Sequence, residues 1–178
     1  MPLAAWETLS TREVYRNPWI RVREDIAALP NGHTTIYGVC ELGQCVGVLP
    51  FVRADAVVMV RQYRYVQREA GRWEMPTGGV RPGEPLAAAA QRELMEEVGY
   101  RAGTLTPINT HYTSKSVCDE TAHLYIAHDL EAVAAVPDET EFLEVAIVPF
   151  AEVLRQVLAG EIRDSMTMIA VLLAARRP

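Results

Sequence analysis

Between Trp19 and Leu29 ("WIRVREDIAAL") apolar and polar residues alternate, the period of a strand with one buried face. "TTIYGVCEL" (34–42) is rich in branched and aromatic side chains, and "PNGH" between the two carries turn residues. "CVGVLPFV" (45–52) and "AVVMVRQYRYV" (56–66) predict two more strands joined by "RAD" as a hairpin. The unbroken "AVVMV" predicts a strand covered on both faces.

After "GRWEMPTGGVRPGE" the period changes. "LAAAAQRELMEEV" (86–98) consists of strong helix formers, with Pro85 suited to the first helical residue and Gly99 to the stop. Strands resume in "GTLTPINTHYT" (103–113), "TAHLYIAHDL" (121–130) and "FLEVAIVPF" (142–150). Two helices, "FAEVLRQVLAG" (150–160) and "SMTMIAVLLAARR" (165–177), close the chain. Strands, a central helix, strands again and terminal helices predict a layered α+β or α/β domain.

Composition narrows this picture little. The 178 residues suffice for one domain burying roughly two-thirds of its unfolded surface. A net charge of −6 argues against partners that need a basic surface, nucleic acid and anionic membrane among them. The N-terminus lacks a basic start followed by an apolar core, so no signal peptide is expected, and no apolar run reaches membrane-spanning length. Cys40, Cys45 and Cys118 lack CxxC spacing and are expected as buried free thiols in a cytoplasmic protein. His33, His111, His123 and His128 show no ligand spacing and are expected to be structural or exposed.

The candidate chemistry lies in the predicted central helix. Glu93, Glu96 and Glu97 stand at i, i+3 and i+4 and share one face, with Glu84 just upstream. Like charges at that spacing cost about 0.2–0.5 kcal/mol per pair, and Arg92 is the only nearby cation. It lies four residues before Glu96 and can brace it. A carboxylate cluster of this kind suits a hard divalent cation, Mg²⁺ or Mn²⁺. Gly78-Gly79 and Pro82-Gly83 add a tight loop whose backbone can approach a ligand. A cation on carboxylates with open positions binds phosphate oxygens and activates water.

Read as G-x5-E-x7-R-E-U-x-E-E-x-G-U, with U a bulky apolar residue, the chain supplies Gly78, Glu84, Arg92-Glu93-Leu94, Glu96-Glu97, Gly99 and Tyr100. Every position fits, the last with Tyr in place of an aliphatic residue. The chain therefore resembles the Nudix hydrolases. That resemblance implies an α+β fold, an α/β/α sandwich with a mixed sheet, and metal-assisted hydrolysis of a nucleoside diphosphate linked to another group. It implies Glu93 and Glu97 as main metal ligands, Glu96 sharing a further ion, and the Thr77 carbonyl as a backbone ligand. Glu96 and Arg92 then belong with the catalytic set, Arg92 and Glu84 acting in support.

The flanks bear on the substrate. "RQYRYVQREAGRWEMPTGG" (61–79) resembles the "QYR…WE-P-GG" run of ADP-ribose and nucleotide-sugar pyrophosphatases. The resemblance implies Arg64 against the phosphates, Glu74 lining the site, and Gly78 and Gly79 in close approach to substrate. An arginine fork matches phosphate oxygens in pairs. "YTSKSVCDETAHLYIA" (112–127) stands where the subfamily has "SPG-x-x-D-E", which aligns Glu120 with a candidate general base. Here the chain departs from the pattern, with "SKS" (Lys115 and Ser116) in place of a proline, and other nucleoside diphosphate sugars stay open as substrates. Glu139 or Glu141, in the acidic stretch "PDETEFLEV" (137–145), competes with Glu120 as base.

"VYRNPWIRVRED" (14–25) also recurs in the subfamily, whose extra N-terminal antiparallel strands often build a homodimer. By that resemblance residues 1–44 form a dimerising extension and 45–178 the hydrolase domain. Trp19, Arg21 and Arg23 would then line a neighbour's pocket, with Trp19 or Tyr15 stacking on the base. The expected activity is Mg²⁺-dependent hydrolysis of ADP-ribose or a related nucleoside diphosphate sugar, with Mn²⁺ as a substitute. Two alternatives remain. A nucleoside triphosphate or dinucleoside polyphosphate hydrolase is disfavoured by the "QYR" and "WEMPTGG" runs, and a non-catalytic ligand sensor by the retention of every helix glutamate.

Overall fold

The computed structural model describes residues 4–134 and 142–177. They form two compact units, residues up to Gly43 with Tyr112–Thr121, and Gln44–His111 with the chain from Ala122 onward.

The first unit is built on an antiparallel sheet in the order β1 (Glu7–Arg16), β2 (Arg21–Ala28), β3 (Thr34–Glu41). Every residue of β1 is exposed, which is why no hydrophobic alternation announces it. Polar cross-strand pairs fasten it instead. Thr11 Oγ1 donates to Asp25 Oδ1 at 2.8 Å, and Arg12 pairs with Glu24 at 2.8 Å. Trp19, expected to open β2, stands before it in the turn, where Asn17 Oδ1 accepts from the Trp19 and Ile20 amides. The stretch 112–121 joins this unit through β3. Cys40 N donates to Val117 O at 2.8 Å, and Asp119 N donates to Cys40 O at 3.2 Å. The Asp119 carboxylate accepts from the Leu42 and Gly43 amides at 2.8 and 3.2 Å. All three cysteines are free, but only Cys45 is buried; Cys40 and Cys118 are half-exposed, because they sit on this bridge rather than in the core.

The second unit contains β4 (Gln44–Arg53), β5 (Ala56–Arg61), β6 (Tyr63–Arg64), β7 (Glu69–Ala70), β8 (Thr77–Gly79), α1 (Leu86–Val98) and β9 (Tyr100–Tyr112). It continues with β10 (Thr121–Ala132), β11 (Glu144–Pro149), α2 (Phe150–Leu158) and α3 (Ser165–Ala174). The mixed sheet runs β11-β5-β4-β10-β9, with β8 paired to β4. Alternation along its strands sorts the core into two layers. Leu49, Val57, Met59, Leu124 and Ile126 meet Val153 and Val157 of α2 and Ala170 and Val171 of α3. Val46, Val48, Val58, Val60, Tyr125 and Ala127 meet Ala89, Ala90, Leu94 and Val98 of α1. Helices thus cover both faces, as an α/β/α sandwich requires, and "AVVMV" is a strand buried on both sides. Among the described residues no helix is long and apolar enough to cross a membrane.

Two further boundaries differ from the sequence pattern in ways that bear on the site. Pro85 is the N-cap of α1 rather than its first residue, since its ψ of 139° is extended. The expected strand 56–66 stops at Arg61, and β6 and β7 form a separate two-stranded ribbon. The Gly71 backbone lies directly against the Gln62 carbonyl, where a Cβ would overlap the oxygen. Gly71→Ala should therefore cost roughly 2–3 kcal/mol, or about 5–10 °C in Tm for a chain of this size. Thermal melting of the purified variant checks this, and a Tm unchanged from wild type contradicts it.

Candidate active site

Helix α1 turns two of its glutamates inward. Glu93 and Glu97 are each only 6% exposed and lie one turn apart on the face packed near β8. Glu97 Oε2 accepts from the Thr77 amide at 3.2 Å. A Cβ on Gly78 would fall on the Glu93 carboxylate, so only glycine leaves room for that side chain. Gly99, at φ 68°, ends the helix and returns its amide to the Met95 carbonyl at 3.1 Å.

Arg92 organises the outer carboxylates. Its guanidinium donates to both oxygens of Glu84 at 2.9 and 3.0 Å, to Glu93 Oε1 at 2.6 Å and to Glu96 Oε2 at 2.9 Å. It also donates to the Gly79 carbonyl at 2.9 Å. The sequence suggested a brace for Glu96, and the structure makes Arg92 the hub of three carboxylates and the glycine loop. These hydrogen bonds, Glu84's first, raise the pKa of Arg92 above its ordinary value and keep it charged. Arg92, helped by the Arg81 amide, lowers the Glu84 carboxyl to about 2. A depressed carboxyl contributes stability above its ordinary range and loses it as pH falls towards 2, so this hub holds at neutral pH.

Buried carboxylates facing a glycine backbone form an all-oxygen donor set, which fits Mg²⁺ or Mn²⁺. Among the described residues, no group of three or more acidic, histidine or cysteine side chains converges as a ready-made cation site. The fit rests on Glu93, Glu97 and the Thr77–Gly78 backbone, with Glu96 held to one side by Arg92.

Next to Thr77 opens a cleft of about 740 Å³. Arg64 and Glu74 line it as a two-point ion pair, Arg64 Nε to Glu74 Oε1 at 3.1 Å and Nη2 to Oε2. Glu74 raises the pKa of Arg64, and Glu74 itself is buried. The cleft also brings in Arg72, Arg163 and Asp164, which the sequence reading did not select. Only Asp164 had a local signal, an acid just before a predicted helix in "RDSM". It caps α3, accepting from the Thr167 amide at 2.7 Å.

Glu120, Trp19, Tyr15, Arg21 and Arg23 belong to the first unit. Glu120, half-exposed, accepts at its backbone carbonyl from the Thr113 amide at 3.3 Å. Trp19 is 80% exposed and Tyr15 half-exposed. Arg23 is committed to Asp25 and Glu41, and Arg21 to Glu13 and Glu41. Glu139 and Glu141 lie outside the described residues. Glu144, the first residue of β11, pairs with Arg61 at 2.7 Å. The histidines are structural or exposed: His123 bridges Thr110 and Gln44, and His128 stacks on Phe51.

Residues 41–168 match the NUDIX domain, and residues 6–40 match a nucleoside diphosphate sugar hydrolase N-terminal domain. The chain belongs to the Nudix hydrolase family. It is a hydrolase of phosphoanhydride bonds, with pyrophosphatase activity on diphosphate-containing substrates, in a family that uses divalent metal. It is 32% identical to a methanol dehydrogenase activator of Bacillus methanolicus and 31% identical to an ADP-ribose pyrophosphatase of Bacillus subtilis. Each match covers 93% of this chain and 90% of the relative. A crystal structure described as an ADP compounds hydrolase has the same fold, with a TM-score of 0.87 over 98% of this chain and 95% of that one, at 23% identity.

Proposed function

We propose that the protein hydrolyses the diphosphate of ADP-ribose or a related nucleoside diphosphate sugar, releasing a nucleoside monophosphate and a sugar phosphate. The observation that carries this reading is the buried Glu93–Glu97 pair beside a cleft lined by Arg64 and Glu74. The N-terminal match to a nucleoside diphosphate sugar hydrolase domain supports it, as does the kinship with an ADP-ribose pyrophosphatase.

In this reading Glu93 and Glu97 hold Mg²⁺, or Mn²⁺ in its place, with Glu96 beside them and the Thr77 carbonyl as a backbone ligand. When bound, the ion neutralises charge on the diphosphate and lowers the pKa of water. Arg92 holds Glu84, Glu93 and Glu96 against their mutual repulsion. Arg64, gripped on one edge by Glu74, offers its remaining Nη group to a phosphate oxygen. Gly78 and Gly79 let the substrate approach the main chain. Glu120, or Glu139 or Glu141 in its place, takes the proton of the attacking water.

Trp19 and Arg23 contribute to base recognition in a homodimer. The exposed Trp6, just before β1, and Leu9, Ile36 and Tyr37 of the N-terminal strands support self-association, since apolar groups of this size favour a partner surface. The setting is cytoplasmic.

A rate comparison across ADP-ribose, GDP-mannose, UDP-glucose, ATP and a dinucleoside polyphosphate, with Mg²⁺, tests the substrate class. We expect kcat/KM on at least one nucleoside diphosphate sugar to exceed that on ATP by about a hundredfold, roughly 2.7 kcal/mol of transition-state preference. A higher kcat/KM on ATP or the dinucleoside polyphosphate would instead move the protein to another Nudix class.

A further inference from the structure

We propose that Thr167 and Asp164, in and just before the first turn of α3, act as a positioning relay that fixes the Glu74–Thr77 segment beside the α1 carboxylates. The inference rests on the reading of Glu93, Glu97 and Thr77 as the cation-binding groups.

The segment carries two candidate site residues, and its backbone is held nearly group by group. Glu74 exchanges both main-chain hydrogen bonds with Val60 at 2.8 Å. Pro76, which has no amide proton, accepts at its carbonyl from Val48 at 3.0 Å. Thr77 lies opposite Gly47 in the β4–β8 ladder and donates to Glu97. Met75 is the exception, for its amide has no strand partner. It donates instead to Thr167 Oγ1 at 3.1 Å, across 92 residues of sequence.

Thr167 is fully buried, and its hydroxyl in turn donates to Asp164 Oδ2 at 2.6 Å. The acid thereby fixes the hydroxyl hydrogen and turns a lone pair towards Met75. Capping α3 needs only the bond from the Thr167 amide to Asp164, so the helix has no use for this hydroxyl. Packing would accept a valine. The buried oxygen serves the Glu74–Thr77 segment, because without it the Met75 amide is buried and unpaired. Asp164 lines the same cleft as Arg64, Glu74 and Thr77, and the relay therefore runs from the cleft wall to the cation-side backbone.

Thr167→Val removes the hydroxyl at nearly constant volume, and Thr167→Ser keeps it. Mn²⁺ titration of the substrate-free protein by electron paramagnetic resonance reads the site independently of turnover. We expect Thr167→Val to weaken Mn²⁺ binding about tenfold, the scale of losing a supporting contact around a metal ligand, with kcat falling alongside. Thr167→Ser should restore both. If Thr167→Val does not fold, Asp164→Ala opens the relay from the cleft side and should weaken Mn²⁺ binding in the same direction. Variants that bind Mn²⁺ and turn over as wild type, while melting at lower temperature, would reduce the relay to a stability element and overturn the proposal. A wild-type protein that binds no Mn²⁺ would remove the cation reading itself, a separate result.

Discussion

Glu97→Gln should leave the protein folded and lower kcat by about a thousandfold, the rate equivalent of the roughly 4 kcal/mol attached to a buried charge interaction. The amide retains an oxygen for the Thr77 N–H, so the contact between α1 and β8 survives while the negative charge does not. Removing the charge relieves about 0.2–0.5 kcal/mol of like-charge repulsion with Glu93 one turn away but also loses its attraction to Arg64, so stability should change little. Steady-state kinetics with Mg²⁺ checks the loss of rate, and a thermal melt in chelator checks that the variant folds. Undiminished Mg²⁺-dependent turnover would end the assignment of Glu97 to the metal.

Gly78→Ala is expected to reach a similar defect by steric means. The added methyl would overlap the Glu93 carboxylate, which is tied to Arg92 at 2.6 Å and buried. Either the loop or the carboxylate must yield. Overpacking of this kind costs about 2–3 kcal/mol. Expressed in the transition state, that is a loss of roughly 30–160-fold in kcat/KM. The same methyl at Gly38, on a strand of the N-terminal sheet, meets nothing within 4 Å and serves as the control. A Gly78→Ala enzyme as active as the Gly38→Ala enzyme would show that the glycine does not make room for the site.

Helix α1 was legible because its information is local. Thirteen residues of helix formers, a glycine stop and carboxylates one turn apart need no distant partner to be read. The sheet was legible for a related reason, since strands covered on both faces are apolar throughout. β1 was not, because an exposed strand fastened by Thr11, Arg12, Asp25 and Glu24 leaves no hydrophobic period. Arg64 was identified, but its commitment to Glu74 depends on how β6 and the segment after Gly71 fold back, which residue spacing does not encode. Thr167 is the clearest case of what local pattern hides. In the sequence it is one polar residue in an apolar helix, and its role is set by an amide 92 positions away.

We propose that this chain cleaves a nucleoside diphosphate sugar between its phosphates in a cation-dependent reaction. Anion-exchange chromatography of ADP-ribose incubated with the purified protein and Mg²⁺ tests it most directly, with a parallel sample in excess EDTA. AMP and ribose 5-phosphate are expected in equal amounts, with none of either in EDTA. Intact ADP-ribose under both conditions, with the other nucleoside diphosphate sugars equally untouched, would contradict it.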